Sequence, residues 1–127
     1  MLHIRLRTAI FSDLDELFAL YQAEQWTNFS RKKIESMILA PASHYLVLEQ
    51  NGEILAFIRY LTDEVETTFI GELIVSKNYR KQGFGRRLIE EVAARHPETR
   101  MELVSEQDDF YRKLGFVEIG NALRLRR

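Results

Sequence analysis

TFIGELIVSKNYRKQGFGRRLIEEVAA, from Thr68 to Ala94, reads as a strand, a basic glycine loop and an amphipathic helix in succession. Phe69, Ile70, Leu73, Ile74 and Val75 make a nearly continuous apolar run, which suits a strand covered on both faces. Ser76-Lys77-Asn78 breaks the run, and Arg80-Lys81-Gln82-Gly83-Phe84-Gly85 follows. Leu88, Ile89, Val92 and Ala93 then recur on one face of a helix. The first amides of a helix have no partner inside it, and they attract an anion, most often phosphate. Gly83 and Gly85 lack Cβ, so the chain there is expected to reach φ > 0 and approach a ligand closely. Arg80, Lys81, Arg86 and Arg87 add positive charge. By itself the loop also fits a helix start that merely turns tightly.

Around this stretch the chain is an ordinary 127 residues, enough for one domain, residues 1–127, with a real core. Hydrophobic residues at 46% and charged residues at 29% disfavour disorder, and no apolar run approaches the ~20 residues of a membrane span. The N-terminus MLHIRLRTAIFSDLDEL is broken by charge and is not expected to act as a signal peptide. Cysteine is absent, which removes disulfides, thiolate metal sites and a cysteine nucleophile. No metal is expected, and the simplest setting is cytoplasmic. A net charge of −1 gives no bulk pull toward nucleic acid, and no membrane contact is expected. Acidic groups gather at Asp13, Asp15 and Glu16, at Asp63, Glu64 and Glu66, and at Glu106, Asp108 and Asp109, each readable as a solvated turn or helix start.

From the N-terminus, Leu2, Ile4, Leu6 and Thr8 alternate with polar residues as in a half-buried strand. Ser12 is expected to cap a helix over 12–23, and Ser30 a second one that Pro41 stops. Strands over 45–49 and 54–61 flank Asn51-Gly52, a hairpin signal, and a polar turn at 62–66 leads into the strand at 67–75. The helix at 84–95 ends before Pro97, and a strand over 100–104 should run parallel to its predecessor. A short helix at 110–114 with Gly115 past its end precedes a hairpin of 116–119 and 123–126 about Gly120-Asn121. The expected architecture is mixed α/β, β-α-α-β-β-β-α-β-α-β-β.

Arg80-Lys81-Gln82-Gly83-Phe84-Gly85 after an apolar strand resembles the acyl-coenzyme A loop of the GNAT acetyltransferase superfamily, and Phe110-Tyr111-Arg112-Lys113-Leu114-Gly115-Phe116 resembles the signature that closes that fold. The resemblance covers the whole order of elements. It implies a mostly antiparallel sheet in which strands 4 and 5 are parallel and splayed, with a bulge in strand 4. It implies acetyl-CoA as acyl donor and direct attack by an amine, with a small amine, amino acid or peptide N-terminus as acceptor. Leu73, Ile74 and Val75 would pair with the pantetheine arm, and Arg80, Lys81, Gln82, Gly83, Phe84, Gly85 and Arg86 would hold the pyrophosphate. The Val75 amide would polarise the thioester.

Tyr111 carries over as the general acid that protonates the leaving thiolate, although a tyrosine at that place could equally pack with its hydroxyl at the surface. The base is open between Glu72, Glu102 and a water relay. Glu72 is preferred because the alternation Ile70, Glu72, Ile74 sets it among inward neighbours, and an acid in an apolar setting has a raised pKa. Its plain alternative is a strand acid paired with Arg59. His3, His44 and His96 stand at no position the motifs make special. Tyr21, Glu24, Trp26, Phe29, Asp63 and Glu64 lie where this fold admits its substrate, and aromatic faces with carboxylates suit a cation. Trp26 and Phe29 fit a core corner as well. The segment Ser105–Asp109 lacks the asparagine that many relatives carry there. A non-catalytic acyl-CoA-binding domain and a phosphate- or nucleic-acid-binding module are the rival readings, and a homodimer is left open.

Overall fold

The computed structural model describes residues 3–127. Strand β1 (Arg5–Thr8) leads through a 3-10 turn (Phe11–Asp13) into α1 (Leu14–Ala23) and α2 (Arg31–Leu39). Strands β2 (Ser43–Gln50), β3 (Glu53–Thr62) and β4 (Thr67–Val75) form an antiparallel meander. A 3-10 turn (Lys77–Tyr79) precedes α3 (Phe84–Arg95), and then come β5 (Arg100–Leu103) and α4 (Asp108–Lys113). The sheet order is β1-β2-β3-β4-β5, with only the β4–β5 pair parallel. Of the expected first strand, Leu2 lies outside the described residues.

The apolar strands are continuous in sequence because both faces are covered. Tyr45, Val47, Ile54, Phe57 and Ile74 pack under α1 and α2 with Leu14, Leu17, Tyr21 and Ile34. Leu46, Leu48, Ala56, Ile58, Tyr60 and Ile70 pack under α3 with Leu88, Ile89 and Val92. The β2–β3 turn has φ of +52° at Asn51 and +80° at Gly52, the two left-handed residues a tight hairpin needs. Ser30 caps α2 by accepting the Lys33 amide at 3.1 Å.

Three expectations need correction. Ser12 does not cap α1; it sits in the 3-10 turn, and Asp13, at the cap position of α1, makes no side-chain cap bond to that helix. The Asp13 carboxylate accepts the Ile10 amide at 2.8 Å and both Arg7 terminal nitrogens at 2.8 and 2.9 Å, so it is a buried ion pair and not a solvated charge. The hairpin over 116–126 does not form within the chain: no residue after α4 enters a strand. Alternation gives residues 117–125 the propensity for a strand, but a ladder also needs a partner, and no strand lies beside them. Third, Ile70 and Ile74 do not share a face. A bulge at Gly71, between the pairs Arg59–Glu72 and Tyr60–Ile70, reverses the alternation, so Ile70 points toward α3 and Ile74 toward α1. Among the described residues no helix is long and apolar enough to cross a membrane.

Candidate active site

β5 pairs with β4 only from Thr67 to Ile70, so the two parallel strands part beyond Ile70. On its other edge β4 stays paired with β3 up to Val75. The Ser76 amide donates to the Leu55 carbonyl at 2.8 Å, which sets the phase of the ladder. Alternate residues of an antiparallel strand direct their peptide groups to opposite sides. Ile74 therefore turns its N–H and C=O toward Phe57 of β3, whereas Leu73 and Val75 turn theirs toward the gap. Of the three residues expected to offer backbone groups, two do so.

The loop follows at once. Arg80 donates from Nε to the Val75 carbonyl at 3.2 Å and ion-pairs with Glu24 at the end of α1. Arg80 thus braces the loop against the sheet, and Glu24 is spoken for. Lys81, Gln82 and Arg86 are exposed. Gly83 adopts φ +85° as N-cap of α3, in a conformation that strains any residue with Cβ. The Arg87 amide bonds the Gly83 carbonyl at 3.0 Å and starts the helical ladder, leaving the amides of Phe84, Gly85 and Arg86 without helical partners.

Gly85 is helical, so its expected positive φ is absent. Contact explains it instead. A Cβ there would stand 2.9 Å from Cζ of Phe110 and 3.7 Å from Leu73 Cδ2. The glycine loop and the C-terminal signature meet at this point.

That signature is a helix stop with a definite hydrogen-bond pattern. The Gly115 amide bonds the Arg112 carbonyl at 3.0 Å and the Phe116 amide bonds the Tyr111 carbonyl at 3.1 Å, with φ +100° at Gly115. This is a Schellman stop, and its usual apolar contact is the edge-on packing of Phe116 on Tyr111, centroids 5.5 Å apart. Tyr111 is thereby held on both sides, by Phe110 at 5.0 Å and by Phe116. Burial, aided by the Glu106 charge, pushes its hydroxyl pKa up, so Tyr111 carries its proton at neutral pH.

Glu72 faces the other way, under α1, in a setting that is ionic and not apolar. Its Oε1 accepts the Tyr21 hydroxyl at 2.5 Å and Arg59 Nε at 2.6 Å; its Oε2 accepts Arg59 Nη2 at 2.6 Å. Tyr21 and Tyr45 share a hydrogen bond at 2.8 Å. Gly71 makes room for this clamp: a Cβ there would lie 2.5 Å from Arg59 Nη2. Burial raises the pKa of both tyrosines, Tyr45 to about 12.

Tyr21 is fully buried, its ring stacked on Phe29 at 4.6 Å and tilted on Phe57 at 5.0 Å. Trp26 and Phe29 are half-buried and line an open hollow with Phe18, Gln22, Gln25 and Ser30. Asp63 closes the β3–β4 turn by accepting three backbone amides, which lowers its pKa to about 2. Glu102 is half-buried on β5 opposite Phe69. His44 stacks on Tyr60 and His96 hydrogen-bonds it. Tyr45 and Gly71 enter the site without having been singled out, and Phe110 was named only as part of the closing signature. A glycine inside a strand is itself a bulge signal, and Gly71 was legible on that ground.

Comparison with known proteins agrees with this geometry. The profile of the acetyltransferase (GNAT) domain matches residues 41–118. A GNAT-family acetyltransferase of Streptococcus pneumoniae superposes over 100% of this chain and 99% of its own, at TM-score 0.79 and 22% identity. The aminoglycoside N-acetyltransferase AAC(6')-Iy, in a complex with CoA, superposes over 100% of this chain and 96% of its own, at TM-score 0.80 and 15% identity. A UPF0039 protein of Schizosaccharomyces pombe is 27% identical over 86 residues, and the chain spans 57% of that curated relative's length. The profile runs from the turn before β2 past the stop that follows α4, so the parted strands, the glycine loop and the Tyr111 signature all fall inside it, and the chain belongs to the GNAT acetyltransferase family.

Proposed function

We propose that residues 1–127 form one N-acetyltransferase domain that moves an acetyl group from acetyl-CoA to a primary amine by direct attack. The parting of β4 and β5 carries this reading: it leaves Leu73 and Val75 facing a gap that ends at the unpaired amides of α3. A pantetheine arm with amides along it and phosphates at its end matches an open strand edge followed by a helix N-terminus. The residues fit the group. Leu73 offers its peptide groups and Val75 its N–H, Gly83 offers a turn with no side chain in the way, and Lys81 and Arg86 offer charge.

Acetyl-CoA supplies the activated acyl carbon. The protein supplies position and protons. The Val75 N–H donates toward the thioester oxygen as negative charge develops there. The amine nitrogen bonds the acyl carbon as the C–S bond breaks, and the sulfur takes its proton from the Tyr111 hydroxyl. The amine releases its protons to solvent, which returns one to Tyr111; Glu72, its oxygens held by Arg59 and Tyr21 under α1, fixes β4 in place. Trp26 and Phe29 wall the acceptor side, where an ammonium group meets aromatic faces before it is deprotonated.

The test is release of free thiol from acetyl-CoA by the full chain with a panel of small amines, amino acids and peptides. Turnover with at least one primary amine, and none with its N-methylated tertiary analogue, is expected. Acetyl-CoA binding with no thiol release across the panel would leave an acyl-CoA-binding domain as the better description.

A further inference from the structure

On the reading that the hollow at the end of α1 receives the acceptor, we infer that Gln25 is a specificity-determining residue. Its carboxamide, with that of Gln22, reads a neutral amide group carried beside the reacting amine, so the acceptor is a peptide-type amine without a second charge. The chain has two helix stops of one kind. After α4 the left-handed place is filled by Gly115, φ +100°. After α1 the Trp26 amide bonds the Tyr21 carbonyl at 3.2 Å and the Gln25 amide bonds the Gln22 carbonyl at 2.8 Å. This is the same Schellman pair, with the apolar contact made by the Trp26 and Tyr21 rings, centroids 6.4 Å apart. The left-handed place here is Gln25, φ +62°.

Glycine takes this conformation freely, and a residue with Cβ is disfavoured in it. Backbone strain of this kind gathers where a side chain has a task. The side chain that the strain keeps in place lines the hollow beside Trp26. Gln22 lies one turn earlier on α1 and lines it too. The hollow is also close to the proposed chemistry. Glu24, the residue before Gln25, ion-pairs with Arg80, and Arg80 donates to the Val75 carbonyl.

The lining says what the hollow takes. Among the described residues no charged side chain lines it. The acids of α1 and its cap are engaged elsewhere: Asp15 pairs with Arg31, Glu16 accepts the Ile54 amide at 2.8 Å, and Glu24 pairs with Arg80. A second ammonium on the acceptor finds no free carboxylate there, and a carboxylate on the acceptor finds no cation in the lining. The two glutamines are exposed, so their amides are open to a ligand. A carboxamide both donates and accepts, and two of them complement a group that does the same, which is an amide.

Trp26 is the one tryptophan of the chain, so its fluorescence reads occupancy of the hollow whether or not turnover follows. Titration of the full chain with CoA present compares alaninamide, alanine and 1,2-diaminopropane, which share a size and differ in charge. Alaninamide should bind at least about tenfold more tightly than either of the others. Gln25→Gly should melt at a higher temperature, because the left-handed strain is relieved, and should lose that preference, with KM for alaninamide raised about tenfold and kcat little changed. A Gln25→Gly chain that binds alaninamide as before overturns the inference, since the glutamine then serves only the helix stop. So does equal binding of alanine or the diamine, or thiol release from acetyl-CoA without this selectivity. Selective binding of alaninamide with no thiol release would remove the transferase reading and leave this one standing.

Discussion

Along β4, Leu73 and Val75 turn peptide groups into an open gap, whereas Glu72 and Ile74, one position away each, are closed under α1 by Arg59, Tyr21, Tyr45 and Phe57. The open side is made of backbone and glycine, and side chains there mostly stay out of the way. The closed side is made of side chains from α1, β2, β3 and β4, whose polar atoms satisfy one another. A strand can serve both because alternate residues turn their peptide groups to opposite edges and their side chains to opposite faces, and the Gly71 bulge sets which face residues 72–75 take. The open side presents peptide groups that no other strand pairs, and the closed side fixes the strand that carries them.

Breaking one side should therefore look different from breaking the other. The largest effect is expected on the open side. Tyr111→Phe removes one proton donor and should lower kcat by about 10³-fold, within the range of general acid catalysis, while acetyl-CoA binds as before. Steady-state kinetics with calorimetric binding reads both. Unchanged kcat with chemistry rate-limiting would remove Tyr111 from the mechanism.

On the closed side the loss should be in stability. Glu72→Ala leaves Arg59 without its counter-ion and Tyr21 without an acceptor, at a cost of about 3 kcal/mol in denaturant unfolding. Glu72→Gln sharpens the comparison, because it keeps the shape. If Glu72 also accepts the amine's proton, this variant alters the acidic limb of the kcat/KM profile; if it only braces the strand, the profile keeps its form.

Alkaline pH should reach the closed side next. Burial holds the Tyr45 pKa near 12, and Tyr21 is raised too, whereas an unfolded tyrosine titrates near ~10. The folded chain keeps protons that the unfolded chain releases, so this stability is full below pH ~10 and declines as pH rises toward 12. A loss of about 2 kcal/mol over that window is expected in urea titrations, and a flat response would mean the tyrosines are not sealed. The smallest effect belongs to Gly83→Ala. Its left-handed φ costs about 1 kcal/mol with a side chain, and weaker acetyl-CoA binding should accompany it.

The open side was far more legible in the sequence than the closed one. The glycine loop and the Tyr111–Phe116 stop are local: Gly83 is defined by its own φ, and the Schellman bonds span Tyr111 to Phe116. Spacing within six residues carries such features. The Tyr21–Glu72 hydrogen bond joins residues 51 apart, and the Arg7–Asp13 pair replaces an ordinary helix cap, neither of which periodicity can express. Gly71 shows the limit of alternation itself, since one inserted residue moved Ile70 to the opposite face from Ile74. Gly85 was marked for the wrong reason, because its constraint is Phe110, a residue 25 places later. The tail had strand character in its sequence, but where a strand pairs depends on what edge is open to it.

The central claim is that the gap beside Leu73 and Val75, with the α3 amides at its end, holds an acyl-CoA. Thermal melting of the full chain against rising acetyl-CoA tests it most directly. A ligand that binds only the folded chain raises stability as RT ln(1 + [L]/Kd), about 2.7 kcal/mol at one hundred times Kd. The account predicts a rise in Tm that grows with the logarithm of acetyl-CoA concentration and shrinks in Gly83→Ala. A melting curve that millimolar acetyl-CoA leaves unmoved would contradict it.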